Sequence, residues 1–238
     1  MLVFALPRGA AALAIVVLAH SAALADDVLK VAVGGRAAFE SQVAEVGREQ
    51  GIFRRHGLDL ELRTTQSGGE TLAAVTSGAA DVGISAGTLA TIGAFARGSA
   101  IRVIGSAMIG ATEFWYVPAS SRIKTMKDAA GKTVAYSATG SAGSLMVLGL
   151  QELHGIKLKT VPTGDPAATL ALVMSGKVDV GYSVPPFGVA EHEQGTIRIV
   201  ARANDLPALA RQAVRFIVAN ADALQKRPGG AAFHAGLS

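Results

Sequence analysis

The 238-residue chain contains no cysteine. That excludes a disulfide framework, a thiolate zinc site, a catalytic thiol and a lipid-anchoring cysteine. Aromatic residues make up 5% of the chain, with a single Trp, and charged residues 17%. The positive excess is only +4, and the basic residues are scattered, as Arg54, Arg55, Lys124, Lys127 and Arg211. A nucleic-acid surface needs a basic stripe, so no nucleic-acid partner is expected. The longest apolar run, 9–19, falls well short of the roughly 20 residues that span a bilayer.

Catalytic and metal-binding patterns are equally scarce. The chain has no Gly-x-Ser-x-Gly elbow, no Walker loop and no metal-ligand spacing. Gly140-Ser141-Ala142-Gly143 lacks the third Gly of a dinucleotide fingerprint. His56 and His154 each precede a Gly at the end of a helical pattern, where a His suits the helix dipole. His192 stands between Glu191 and Glu193, which at that spacing cannot face one point, and His234 lies in a Gly/Ala-rich tail. Asp81 and Asp179 open strand-like runs and suit turn chemistry better than a carboxylate pair. No catalytic residue, metal site or cofactor is expected, and the chain reads as a binding protein rather than an enzyme.

What the chain does have begins at its N-terminus. Arg8 precedes the apolar run, which leads to Ala23-Leu24-Ala25 and the polar pair Asp26-Asp27. A basic start, a short apolar stretch and an Ala-x-Ala site make residues 1–25 a secretory signal peptide. Cleavage is expected between Ala25 and Asp26, with the mature chain in the periplasm.

A duplication dominates the rest. Residues 71–85 read TLAAVTSGAADVGIS and residues 169–183 read TLALVMSGKVDVGYS, identical at ten of fifteen positions at an offset of 98. The register extends to His56-Gly57-Leu58 against His154-Gly155-Ile156. Two copies at this period are too few for a solenoid and indicate two similar lobes. In each copy a short apolar strand (29–33; 133–136) leads to a helical pattern (41–55; 144–154). A second strand (58–63; 156–161), a second helix (70–76; 167–174) and a third strand (81–85; 179–183) follow. Strands alternating with helices predict an α/β fold with mostly parallel sheets flanked by helices. Two further strand pairs, 101–107 with 113–117 and 198–201 with 214–219, read as a two-stranded hinge. Lobe one is expected at 26–112 plus 205–238, and lobe two at 113–204.

Ligands of open parallel sheets lie beyond the carboxyl ends of the strands, at helix N-termini. The loops there carry Gly35 and Arg36, Ser67 and Gly68, and Ser85, Gly87 and Thr88 in the first copy. The second copy supplies Ser137, Thr139, Gly140 and Ser141, then Asp165, then Ser183, Pro185 and Phe187. Small and hydroxylated loops let backbone amides approach an anion, and hydroxyls add donors. Each such residue taken alone also serves as an ordinary helix cap. Arg36 could pair with an anionic ligand or be solvated, and Trp115 and Phe187 could wall a cleft or fill a core.

At this point the chain resembles the periplasmic solute-binding proteins of ABC transporters for sulfonates, taurine and nitrate, a group related to thiamine-precursor-binding NMT1/THI5-like proteins. The resemblance is carried by Glu49-Gln50-Gly51-Ile52-Phe53 through Gly57-Leu58-Asp59-Leu60, and by Ser77-Gly78-Ala79-Ala80-Asp81-Val82-Gly83. In the second copy it is carried by Gly131-Lys132-Thr133-Val134-Ala135, Gly140-Ser141, Val178-Asp179 and Pro185-Pro186. It implies a two-lobed, type II periplasmic-binding-protein fold and a monomer that captures a small anion by hinge closure and delivers it to an ABC permease. Fungal relatives that make the thiamine pyrimidine depend on a cysteine-rich motif, which this chain lacks. The resemblance also implies further helices after 215–219, where this chain has the poorly patterned tail 228–238. The alternatives are an exported enzyme or sensing domain using the same cleft, or a truncated, non-binding remnant.

Overall fold

The computed structural model describes residues 27–35 and 39–226. The expected signal peptide, Arg36 and the tail 228–238 lie outside the described residues.

The first copy of the duplication builds β1 (Asp27–Gly34), α1 (Phe39–Glu49), β2 (Leu58–Thr65), α2 (Gly68–Thr76), β3 (Val82–Gly87) and α3 (Thr88–Ala96). The chain continues through β4 (Ile101–Ile109) into β5 (Phe114–Pro118). The second copy then gives β6 (Thr133–Tyr136), α4 (Ala142–His154), β7 (Lys159–Pro162), α5 (Pro166–Met174) and β8 (Gly181–Ser183). After α6 (Val189–Glu193) come β9 (Ile197–Arg202), β10 (Ala213–Asn220) and α7 (Ala221–Lys226).

A five-stranded sheet has the order β2-β1-β3-β10-β4. The strands β1, β2 and β3 pair in parallel, whereas β10 is antiparallel to both its neighbours. The second half repeats the plan. Here β7 and β6 pair in parallel, a parallel bridge joins Val134 to Val180, and β5 lies antiparallel between β8 and β9. The expected mostly parallel sheets are therefore mixed. In each sheet the strand beside the third parallel one is a strand reached from the other half, β10 or β5. The chain crosses between sheets twice, at 110–113 and 203–212.

The central strands are near-continuous apolar runs because helices cover both faces. Every residue of β3 is buried. One face of the five-stranded sheet packs Leu29, Val31, Leu58, Leu60 and Ile84 against Ala44 and Phe53. The other packs Val75, Ile101 and Val218. A separate core holds Trp115, Val134, Met146, Leu150 and Val180. Trp115 is fully buried there and its indole N–H donates to the Ala135 carbonyl at 3.0 Å, so it fills a core rather than walling a cleft.

Two boundaries differ from expectation for local reasons. The first helix ends at Glu49 rather than near Arg55, because Gly51 turns left-handed with φ +65° and reverses the chain. Arg54–His56 then forms a separate 3-10 turn closed by Gly57 at φ +72°. The strand expected from 156 begins at Lys159, since the Gln151 side chain takes the amide of Leu158 at 2.8 Å.

Candidate functional site

The strand ends of both sheets open onto one cavity of about 370 Å³, the size of a small-molecule site. From the first half come Gly34, Gly35, Gln66, Ser67, Gly68, Ser85 and Gly87; the second half supplies Ser137, Ser141, Ala142, Gly143, Asp165, Tyr182, Val184 and Phe187. Three helices of nine or more residues, α2, α4 and α5, start at its wall.

Their caps are built alike. Ser67 Oγ accepts from the Glu70 amide at 3.3 Å, Ser141 Oγ from the Ser144 amide at 3.2 Å, and Asp165 Oδ1 from the Ala168 amide at 2.8 Å. Behind the caps the duplication is atomic. Thr65 and Thr71 share a hydroxyl hydrogen bond of 2.6 Å, and Thr163 and Thr169, each 98 residues on, share another of 2.6 Å. Thr71 and Thr169 also donate to the carbonyls of Ser67 and Asp165. The two serine hydroxyls and one Asp165 oxygen are thus engaged, and the first-turn backbone of the three helices lies at the cavity wall. Helix geometry leaves the amides of Gly68, Gly69, Ala142 and Gly143 without intrahelical acceptors. At α5 the first position is Pro166, so Ala167 supplies the amide there.

Of the sequence-expected ligand residues, nine line the cavity: Gly35, Ser67, Gly68, Ser85, Gly87, Ser137, Ser141, Asp165 and Phe187. Arg36 is outside the described residues. The other five point elsewhere. Thr88 Oγ1 is buried and donates to the Val214 carbonyl. Thr139 hydrogen-bonds the Tyr136 hydroxyl at 3.3 Å, and the Gly140 carbonyl accepts the Ala90 amide at 3.1 Å. Ser183 Oγ donates to the Phe187 carbonyl at 2.8 Å. Pro185 shapes the turn before Phe187 without reaching the cavity wall. Four of these five are in a hydrogen bond within the fold, and none is among the residues of the cavity wall.

The strand-end loops do not carry the buried charge of the site. Glu40 of α1, Glu113 before β5 and Arg215 of β10 all reach the cavity wall and are buried. Arg215 Nε meets Glu40 Oε1 at 2.9 Å, and its Nη2 donates to Glu113 Oε1. Burial disfavours the guanidinium charge, but the two carboxylates outweigh it and hold the group firmly protonated. Tyr182 donates its hydroxyl to the Gly164 carbonyl, and burial, followed by the charges of Asp165 and Glu113, pushes its phenol well above the ordinary value. Tyr182 is therefore a neutral donor at physiological pH. The signal was present: Arg215 and Glu113 are isolated charges in or beside otherwise apolar strands, and such residues are rarely buried without a partner.

Two residues of this wall each keep one buried polar atom unpaired. Glu113 Oε2 and Ser85 Oγ are buried and have no hydrogen-bond partner among the described residues. Ser85, with φ +64°, is also the one non-Gly residue among them in left-handed backbone. Its repeat counterpart Ser183 has a partner. No group of three or more His, Asp or Glu among the described residues is placed to hold a metal. No described helix is long and apolar enough to cross a membrane.

The family model described as NMT1/THI5 like matches residues 41–161. No curated protein matches the chain in sequence. The fold is similar to that of the alkanesulfonate-binding protein SsuA from Xanthomonas axonopodis pv. citri bound to MOPS. The TM-score is 0.73 at 19% identity, over 88% of this chain and 71% of that one. It is similar to the Candida albicans CA3427 gene product, which exhibits the generic periplasmic binding protein structural fold, with TM-score 0.71, 16% identity and coverage of 88% and 69%. The periplasmic nitrate-binding protein NrtA from Synechocystis PCC 6803 matches with TM-score 0.70 and 15% identity, over 88% and 60% of the chains.

Proposed function

The chain belongs to the NMT1/THI5-like family, and from that premise we propose that it is the periplasmic solute-binding component of an ABC importer. Its two lobes, 26–112 plus 205–238 and 113–204, close on a small solute by bending where the chain crosses between sheets, and a membrane permease reads the closed form. The solute carries an anionic head group of the sulfonate, carboxylate or nitrate class. The protein acts as a monomer after loss of residues 1–25.

The observation that carries this reading is the convergence of the N-termini of α2, α4 and α5 on one cavity between the two sheets. Unsatisfied amides and aligned helix dipoles favour negative charge at such a point. The resemblance to proteins named for binding alkanesulfonate and nitrate supports the same class. Binding, rather than catalysis, is further supported by the cavity's chemistry: Ser67 and Ser141 are helix caps, Ser85 has no partner among the described residues, and Ser137 is bonded to the neutral Tyr182 hydroxyl.

Thermal unfolding of the purified protein against alkanesulfonates, small carboxylates and nitrate tests the reading. A solute at 100 times its Kd stabilises the fold by about 2.7 kcal/mol, a rise of roughly 5–10 °C for a chain of this length. A cooperative melt that one anion class raises by that amount is expected. A cooperative melt unmoved by every anion overturns the head-group assignment.

A further inference from the structure

We propose that Thr71 and Thr169 are positioning residues for solute binding: without touching the solute, each fixes a helix start whose free backbone amides lie at the cavity wall. The inference rests on the solute-binding reading above and deepens it.

The argument begins with the duplication. Thr65 and Thr71 in the first half correspond to Thr163 and Thr169 in the second, and every residue between them differs. Gln66-Ser67-Gly68-Gly69-Glu70 stands against Gly164-Asp165-Pro166-Ala167-Ala168. The loop, the cap and the first turn have all changed, yet the two threonines and the 2.6 Å bond between their hydroxyls are present in each copy. Forming a helix does not require that bond. The cap side chains are in place, and the amides of Thr71 and Thr169 already donate to the carbonyls of Ser67 and Asp165 at 3.0 Å.

The threonine hydroxyl is a second donor to the same carbonyl, at 3.1 Å in α2 and 2.8 Å in α5. A hydroxyl has one proton, so with Thr71 donating there, Thr65 is the donor in the shared bond. Thr65 closes β2 and Thr163 follows β7. Two linked hydroxyls thus run from each strand end to the cap carbonyl and set the helix start against the strand. Thr71 is closely seated, since a Cβ on Gly34 at the end of β1 would lie 2.7 Å from its Oγ1. Both Thr71 and Thr169 are fully buried behind the wall, so they act through the helix start. In α2 that start is Gly68-Gly69, whose backbone no side chain restricts. In α5 the first position is Pro166, whose ring fixes its own φ. Amides placed before the solute arrives spare binding the cost of ordering them, and the hydroxyl matters more at Thr71 than at Thr169.

The test is calorimetric titration of ethanesulfonate, propionate and nitrate into the purified protein and two kinds of variant. Thr71→Val keeps the shape and removes the hydroxyl, whereas Thr71→Ser keeps the hydroxyl and removes the methyl group. For the probe that binds the parent, Thr71→Val is expected to weaken binding about tenfold and Thr169→Val about threefold. Thr71→Ser is expected to stay within about twofold of the parent even though its melt is lower. NMR order parameters of the Gly68 and Gly69 amides, measured without solute, should fall in Thr71→Val and be restored in Thr71→Ser. Parent-like affinity in a folded Thr71→Val, or equal losses in the valine and serine variants, overturns the inference and leaves the solute-binding reading standing. If Thr71→Val does not fold, Thr169→Val decides, and parent-like affinity there overturns the inference. A parent protein that binds none of the three probes overturns the head-group assignment and this inference with it.

Discussion

Asp81 and Asp179 occupy equivalent places in the two halves and do the same work. Asp81 Oδ2 accepts the amide of Lys30 in β1 at 2.9 Å, and Asp179 Oδ2 accepts the amide of Thr133 in β6 at 2.9 Å together with its hydroxyl at 2.6 Å. Each aspartate ties the entry of a third strand to the first. At Asp179 burial works against ionisation. The hydroxyl and amide of Thr133, helped by Lys132 and Lys159, outweigh it and hold the carboxyl below its ordinary range. A depressed carboxyl contributes stability above the unfolded-state value, and that contribution is lost as the pH falls through the folded value. Asp179→Asn is therefore expected to cost about 1–2 kcal/mol at pH 7, by urea unfolding. The gap between variant and parent should narrow as the pH drops below about 4. A gap that widens in acid contradicts the assignment. Only the structural role was legible: the aspartates were expected to serve local turns, whereas their bonds reach partners 51 and 46 residues away in the first strand of each half. The Arg215 cluster was not legible, because its members stand at positions 40, 113 and 215, and only the fold brings them together.

Among the elements, α2 shows how closely the helix starts are fitted to the strand ends. A Cβ on Gly68 would lie 2.6 Å from the Gly87 amide nitrogen and 2.8 Å from the Ser85 carbonyl oxygen, all backbone that cannot swing aside. A Cβ on Gly69 would meet nothing closer than 3.5 Å. Gly68→Ala is expected to destabilise by about 1–3 kcal/mol as the strand end is forced away. Gly69→Ala should be neutral, or stabilising by up to about 1 kcal/mol through helix propensity. Paired denaturant midpoints check the contrast, and equal effects would show that α2 does not seat against β3 as described. The sequence pattern carried the alternation of strand and helix and the cap positions, because these follow from local periodicity and turn chemistry. It did not carry the antiparallel entries of β10 and β5, which depend on a crossing between halves that no local pattern encodes. The early end of α1 depended on Gly51 outcompeting the continued helical pattern toward Arg55.

For the molecule as a whole, the decisive contact is the meeting of the two halves at the cavity rim. The α3 amide of Ala90 donates to the Gly140 carbonyl at 3.1 Å across the halves. Gly87 permits this approach: a Cβ there would lie 2.5 Å from Gly140 O and 3.1 Å from Ser141 Cα. Both partners are backbone, so a side chain at 87 must push the first turn of α3 away from the start of α4. The cores on either side do not depend on that approach, since neither contains Gly87 or Gly140, and Val214 of β10 is the residue of the five-stranded sheet that packs into the other core. In the proposed closing motion, a methyl group at 87 acts as a wedge. Gly87→Ala is expected to keep a cooperative melt while weakening solute binding about tenfold or more, since the bound form becomes a smaller fraction of the population. Small-angle scattering with saturating solute should then show less compaction than in the parent. Parent-like affinity and compaction in a folded Gly87→Ala would mean that binding does not require the halves to meet at this rim, and the closing motion would have to be abandoned.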